Sequence, residues 1–255
     1  MKIRLLRDLH MEGFAYYYEY AGEDVLVLAG DIHTRGRHED ILMEVPDHVQ
    51  IVFVAGNHEY YNGIFEEENE RLRGLSKRYP NFHFLNNSNT KIDGVDFFGG
   101  TMYTDFGLYG EDLKKEGEAM SLRGINDFYS TRRMSLDPIN NMTRMWSTKD
   151  HIQEHEKFRR ELKHWINHTE GGKRVVVSHF VPSPQAVHPR WKDSLLNTYF
   201  TCNMEQFMGW EGLWLYGHTH DSGDFMVGDT HVVGNPKGYG PENVGGFDNK
   251  LILEI

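Results

Sequence analysis

Residues 50–61 read "QIVFVAGNHEYY". Five apolar residues, Ile51 to Ala55, run without a break to Gly56, and the chain then presents Asn57, His58 and Glu59, side chains that bind protons and metals. A continuous β-branched and aromatic run of this kind suits a strand covered on both faces. The glycine at its end allows a sharp exit, with backbone passing close to whatever the polar residues hold. The same arrangement recurs along the chain. Residues 3–6 lead to Asp8-Leu9-His10, "VLVLA" to Gly30-Asp31, "RVVVSHF" to His179, and "LWLYGHTH" to His218 and His220.

Around these five segments the pattern predicts strands at residues 3–6, 25–29, 49–55, 82–84, 95–99, 175–178, 213–216, 225–227, 230–233 and 251–253. Helical periodicity places Phe65, Leu72, Leu75 and Tyr79 on one face, and Ile152, Phe158, Leu162, Trp165 and Ile166 on another. The second helix has a start signal in Ser147 followed by Asp150, and Gly171-Gly172 ends it. The early half alternates strand and helix, and the last sixty or so residues read as strands and loops. No repeat, low-complexity tract or linker divides residues 1–255, so one domain is expected, with an irregular insert at about 101–141.

In α/β sheets the ligand crevice lies beyond the carboxyl ends of the strands. If the five strands are spatial neighbours, two carboxylates, one carboxamide and several imidazoles meet at one edge. That donor set, with oxygen and nitrogen but no thiolate, suits Mn²⁺ first, with Fe, Zn or Ni as alternatives. Seven donors with one shared carboxylate serve two divalent ions, each keeping room for water and substrate.

"DLH", "GD", "GNHE", "SH" and "GHTH", in this order from Asp8 to His220, resemble the signature of the calcineurin-like metallophosphoesterase superfamily, in its small single-domain bacterial and phage form. "TDF" at residues 104–106 and "NPKGY" at 235–239 are similar too. The resemblance implies an α/β (α+β) fold, a two-sheet β-sandwich flanked by helices. It implies that Asp8, His10 and His220 hold one ion, that Asn57, His179 and His218 hold the other, and that Asp31 bridges them. His58 would be the catalytic histidine. The implied reaction is phosphoester hydrolysis, with a metal-bound hydroxide attacking phosphorus in line and His58 protonating the leaving alkoxide.

Two positions depart from that pattern. Protein phosphatases of the superfamily extend the second motif to G-D-x-x-D-R-G, and its second aspartate orients the histidine. Here Thr34 occupies that place, with Arg35 following it as a phosphate-contacting residue would. Arg7 stands where relatives carry a small residue, and is expected to face solvent.

Substrate contacts are expected from Arg35, Tyr61, Asp105, Arg123, Asn126, Asp127, His188 and Lys237, polar residues of the insert and late loops or close to His58. His151/His155 and His164/His168 have the spacing of a shared helix face and are expected to be solvated. The acidic run at 66–68 fits a helix start.

A net charge of −11 argues against stable nucleic-acid binding, which rests on neutralising phosphates. Apolar and charged fractions of 39% and 25% are those of a globular chain, and no apolar run approaches the ~20 residues of a membrane span. The charged start "MKIRLLRDLHME" is not a signal peptide, and the lone Cys202 fits a reducing compartment, so a cytoplasmic location is expected. The expected activity is therefore hydrolysis of a phosphodiester or phosphomonoester of a small molecule or nucleotide. A serine/threonine-type protein phosphatase is supported by "GNHE" and Arg35 but opposed by Thr34 and "GHTH". An idle metal-binding scaffold predicts lost ligands, and every ligand position is filled.

Overall fold

The computed structural model describes residues 1–35, 37–135, 142–169, 171–240, 242 and 246–255. Its strands are β1 (Lys2–Leu6), β2 (Val25–Ala29), β3 (Gln50–Val54), β4 (Phe82–Phe84), β5 (Ser88–Ile92), β6 (Val95–Gly100), β7 (Arg132–Met134), β8 (Thr143–Met145), β9 (Arg174–Ser178), β10 (Gly212–Leu215), β11 (Gly223–Val227), β12 (Thr230–Gly234) and β13 (Ile252–Glu254). The helices are α1 (Glu39–Leu42), α2 (Phe65–Arg78), α3 (Glu111–Gly124), α4 (Asp127–Ser130), α5 (Thr148–His168) and α6 (Asn197–Phe200).

Two sheets carry the fold, ordered β13-β1-β2-β3-β4 and β11-β12-β10-β9-β6-β5, and β7 pairs with β8 alone. β1 to β4 run parallel, as do β6, β9, β10 and β12, while β13, β11 and β5 are antiparallel edges. The period of two sorts side chains between the layers. Val25, Val27 and Ala29 join Val52, Val54, Val175, Val177, Leu213 and Leu215 between the sheets. Leu26, Leu28, Ile51 and Phe53 point outward into the cluster that includes Leu72 and Leu75 of α2. Phe98, Val176 and Trp214, on the far face of the other sheet, meet Phe158, Leu162 and Trp165 of α5. This is the expected β-sandwich with helices outside.

All ten expected strands form. β5, β7 and β8 were not anticipated: "SNTKI" is polar and exposed along most of an edge, and the other two are three-residue pieces. Of the irregular insert expected at about 101–141, residues 136–141 lie outside the described residues, and the rest is not irregular. The described part holds the fourteen-residue α3, α4 and β7. α3 has only Gly117 and Ser121 fully buried, so it lacked an apolar stripe to read. α5 begins with the anticipated capping box, Ser147 with Asp150. Its His151 and His155 are buried, not solvated. His151 sits among Tyr103, Phe106, Phe180 and Tyr199, and His155 Nδ1 lies 3.1 Å from the Tyr103 carbonyl. Helical spacing places residues on a common face without saying which way that face looks. His164 and His168 do lie at the surface.

Candidate active site

Because β1, β2, β3, β9 and β10 are parallel within their sheets, their carboxyl ends deliver five loops to one edge of the sandwich. The loops lock together through the backbone: Asp8 N–H donates to Gly30 O at 3.0 Å, His10 N–H to Asp31 O at 3.0 Å, and Gly217 N–H to His179 O at 2.8 Å. Asp8, His10, Asp31 and His218 all have left-handed φ, from 47° to 77°, a conformation that costs non-glycine residues roughly 1–3 kcal/mol each. The buried Glu59 offsets part of that strain. Its carboxylate accepts from the amides of Ile32 (2.8 Å), Asp31 (2.9 Å) and Gly56 (2.6 Å). Glu59, read as a proton- or metal-binding residue, thus props up the turns beneath the site. Glycine is needed at Gly56, where a Cβ would lie 2.6 Å from Asp31 N, and at Gly30, whose φ is 85°.

All seven side chains expected to hold metal come together. Ligand atoms of Asp8, His10 and His220 form one group, those of Asp31, His179 and His218 a second, and those of His10, Asp31 and His58 a third that joins them, every atom in each group within 4.8 Å of the rest. Asn57 Oδ1 lies 3.1 Å from His179 Nε2, and Asp31 Oδ1 lies 3.4 Å from the same nitrogen. Asp31 Oδ2 is 4.0 Å from His10 Nε2, so its two oxygens face the two groups.

The outer contacts show that these atoms suit cations. His179 Nδ1 donates to Ala29 O at 2.9 Å, His10 Nδ1 to Glu12 at 3.1 Å, and His220 Nδ1 to Glu242. Fixing Nδ1 as the donor turns the Nε2 lone pair inward. The Nε2 atoms of His10 and His220 then face each other at 3.2 Å, an arrangement that a shared proton or a cation satisfies. His218 Nε2 is buried without any hydrogen-bond partner, and its ring is packed at 4.0 Å against Phe180. Asn57 is held by its amide nitrogen, donating to Asp127 Oδ1 at 2.9 Å, which leaves Oδ1 for a metal. Asp127 also accepts from Tyr61 (2.8 Å) and Tyr199 (2.5 Å), and burial still raises its pKa. Burial would also raise Asp31, but the charges of His179 and His58 hold it well below the carboxylate range. Burial would depress His179, yet Asp31 raises it to about 9.

His58 follows β3 at the start of a short 3₁₀ turn and lies over Tyr61, ring centroids 4.2 Å apart. Its Nδ1 is 2.9 Å from Glu12 Oε1, its Nε2 3.2 Å from the Tyr239 hydroxyl and 3.9 Å from Asp31 Oδ2. Burial lowers its pKa, but Asp31 and then Glu12 outweigh this and bring it to about 9. Glu12, absent from the sequence reading, is the carboxylate that partners the ring in place of the aspartate that Thr34 replaces. Its one sequence signal is its place two residues beyond His10.

Arg7 does not face solvent as expected. It is 0% exposed, pairs with Asp8 Oδ2 at 2.5 Å, donates to the carbonyls of Thr219 (2.6 Å) and Asp221 (3.1 Å), and lies over Tyr216. Its guanidinium fastens the end of β1 to the loop that bears His218 and His220.

The site floors a cavity of about 470 Å³. Tyr61, Ile125, Trp191, Leu196, Tyr199 and Phe200 form much of its wall, and Asn126 joins them. Of the other expected substrate residues, Arg35 lines a second groove beyond His58. Asp105 accepts from Gly107 N–H within its own turn, His188 caps a 3₁₀ turn, and Lys237 donates to Leu9 O at 3.0 Å. None of these three, nor the exposed Arg123 on α3, lines either space. Trp191, at the end of a 3₁₀ turn, and Phe200, at the end of α6, were missed because nothing in so short an element's sequence says which way it faces.

Among the described residues no helix is long and apolar enough to cross a membrane. An uncharacterised protein of Acanthamoeba polyphaga mimivirus is 23% identical over 210 residues, 77% of this chain and 71% of its own. The crystal structure of a phosphopantetheinyl hydrolase from Mycobacterium tuberculosis superposes with a TM-score of 0.69 at 17% identity, covering 93% of this chain and 89% of its own, which shows a shared fold. The sequence profile of calcineurin-like phosphoesterases matches residues 1–222. With overlapping His/Asp groups able to bind metal at the strand ends, the chain belongs to the calcineurin-like phosphoesterase family and is a metal-dependent phosphoester hydrolase.

Proposed function

We propose that this protein hydrolyses a small organic phosphodiester, with Mn²⁺ as the preferred ion at both sites. The observation that carries this reading is the cavity: Asp31, Asn57, His58 and His218 lie at the base of an apolar-walled chamber. Such a chamber takes an organic substituent of the phosphate, which a bare monoester phosphate does not need, and it is a concave site of small-molecule size. The similar fold of a phosphopantetheinyl hydrolase agrees with an organic phosphoester. Cys202, buried and unpaired, supports a reducing, cytoplasmic location.

Asp8, His10 and His220 would hold one ion, Asn57, His179 and His218 the other, with Asp31 between them. When bound, the ions lower the pKa of a water and neutralise the phosphoryl oxygens. The protein's own part is positional and protonic. Asp31 Oδ1 accepts from His58 N–H at 2.9 Å, so the shared ligand and the acid are fixed to each other. Glu12 holds Nδ1–H, leaving Nε2–H to be given to the departing alkoxide. Tyr61 and Tyr239 confine the ring, and the aromatic wall excludes water around the organic group.

A panel of bis-nitrophenyl phosphate, nitrophenyl phosphate and cyclic nucleotides, with Mn²⁺ and with chelator, tests this. Diester turnover that chelator abolishes is expected. Monoester preference would make the protein a phosphatase, and no turnover of any would make it a scaffold.

A further inference from the structure

Beyond the ridge made by His58, Tyr61 and Tyr239 lies a second, more open groove of about 530 Å³. Its outer lining includes Arg35, Arg37, His33 and Asn62. This chain carries 38 acidic against 27 basic residues, yet among the described residues neither Arg35 nor Arg37 has an ion-pair partner. Glu12, the carboxylate in the groove, is engaged by His10 and His58. Arg35 has φ 55°, a strained conformation for a residue with a long side chain, of the sort retained at functional positions. His33 is only 5% exposed and its Nδ1 has no hydrogen-bond partner. Two guanidiniums without an ion-pair partner among the described residues, and the little-exposed His33, thus share a groove that opens on the proposed proton donor.

We propose that this groove is an anion subsite, distinct from the place of the scissile phosphate, which binds a second phosphate carried on the leaving alcohol. The proposal rests on the diesterase reading. The departing oxygen must lie beside His58 to take its proton, and His58 lines both spaces. One substituent of the phosphorus then occupies the apolar chamber, while the departing one extends over the ridge toward Arg35 and Arg37. Guanidinium groups match phosphate through paired N–H donors, and a terminal phosphate on an otherwise neutral alcohol is the ligand they select.

The test compares a length series of alkanediol bisphosphates with the matching alkyl monophosphates as competitive inhibitors of bis-nitrophenyl phosphate hydrolysis. At the length that spans the ridge, the bisphosphate should bind at least about tenfold tighter, the scale of a charge-assisted contact. That ratio should fall toward one in Arg35→Ala and Arg37→Ala, and part of it should return in Arg37→Lys. Each ratio is taken within a single variant, so a general loss of activity does not mimic the result. A ratio near one at every length in the unaltered protein, or one untouched by either alanine substitution, overturns the subsite. Absence of bis-nitrophenyl phosphate turnover would instead overturn the diesterase reading, so the two failures are distinguishable.

Discussion

Replacing Glu12 with glutamine removes the charge that faces His58 while keeping the side chain's size. In the structure Glu12 Oε1 lies 2.9 Å from His58 Nδ1, and the two side chains are 23% and 15% exposed. Two unit charges about 4 Å apart interact by about 4 kcal/mol at an effective dielectric of ~20. Partial exposure screens this, and Asp31 at 3.9 Å still faces the same ring, leaving roughly 2 kcal/mol, or about 30-fold in the fraction of His58 that keeps its proton at pH above its pKa. The loss should fall on kcat for a diester with an alkoxide leaving group. It should be less than about threefold for nitrophenolate, which hardly needs a proton. Glu12 raises His58, so its loss lowers the pKa of the ring, and the alkaline limb of the pH profile should move to lower pH. In a His58→Ala background the substitution should cost almost nothing more, because residues acting as one unit are not additive. Metal content measured alongside separates a second effect, since Glu12 also accepts from His10 at 3.1 Å. Equal slowing of both substrate classes with full metal content, or additive losses in the double variant, would refute the assigned partnership.

Asp31→Asn should lose both ions, because the two oxygens of that carboxylate face different ligand groups; elemental analysis finding two retained metals would contradict the bridge. Metal uptake should release protons and tighten by up to about tenfold per pH unit below pH 9. His179, raised to about 9 mainly by Asp31 against the opposing effect of burial, holds a proton that a cation must displace. Calorimetric heats identical in buffers of different ionisation enthalpy would exclude this. In the metal-free protein the sign reverses: the protonated His179–Asp31 contact stabilises the fold fully below about pH 6.5, and that contribution fades as pH rises through about 9. Arg7→Met leaves Asp8 buried without its partner and should destabilise the metal-free fold by about 3–5 kcal/mol. Mn²⁺ should restore much of that in thermal unfolding, as the ion supplies the missing charge, and an unchanged melting temperature without metal would refute the role given to Arg7.

The strands were legible because burial on both faces demands unbroken apolar runs, and "VLVLA", "IVFV" and "VVV" have no other use. The ligands were legible for a related reason: each follows such a run directly, where strand geometry fixes its place at the edge. β5 and α3 were not, since one is a polar edge and the other buries a glycine and a serine instead of an apolar stripe. Arg7 and His151 went astray because a charged or polar residue gives no sign, in one dimension, of which buried partner awaits it.

Sequence by itself therefore determined the two-sheet core and the set of seven convergent side chains, because both depend on local pattern and chain order. Only the tertiary structure decided that Glu12 faces His58, that Arg7 is buried against Asp8, and that Trp191 and Phe200 wall a chamber separate from the groove of Arg35 and Arg37. Those are contacts between loops, set by how the sandwich brings its strand ends together, and no single segment encodes them.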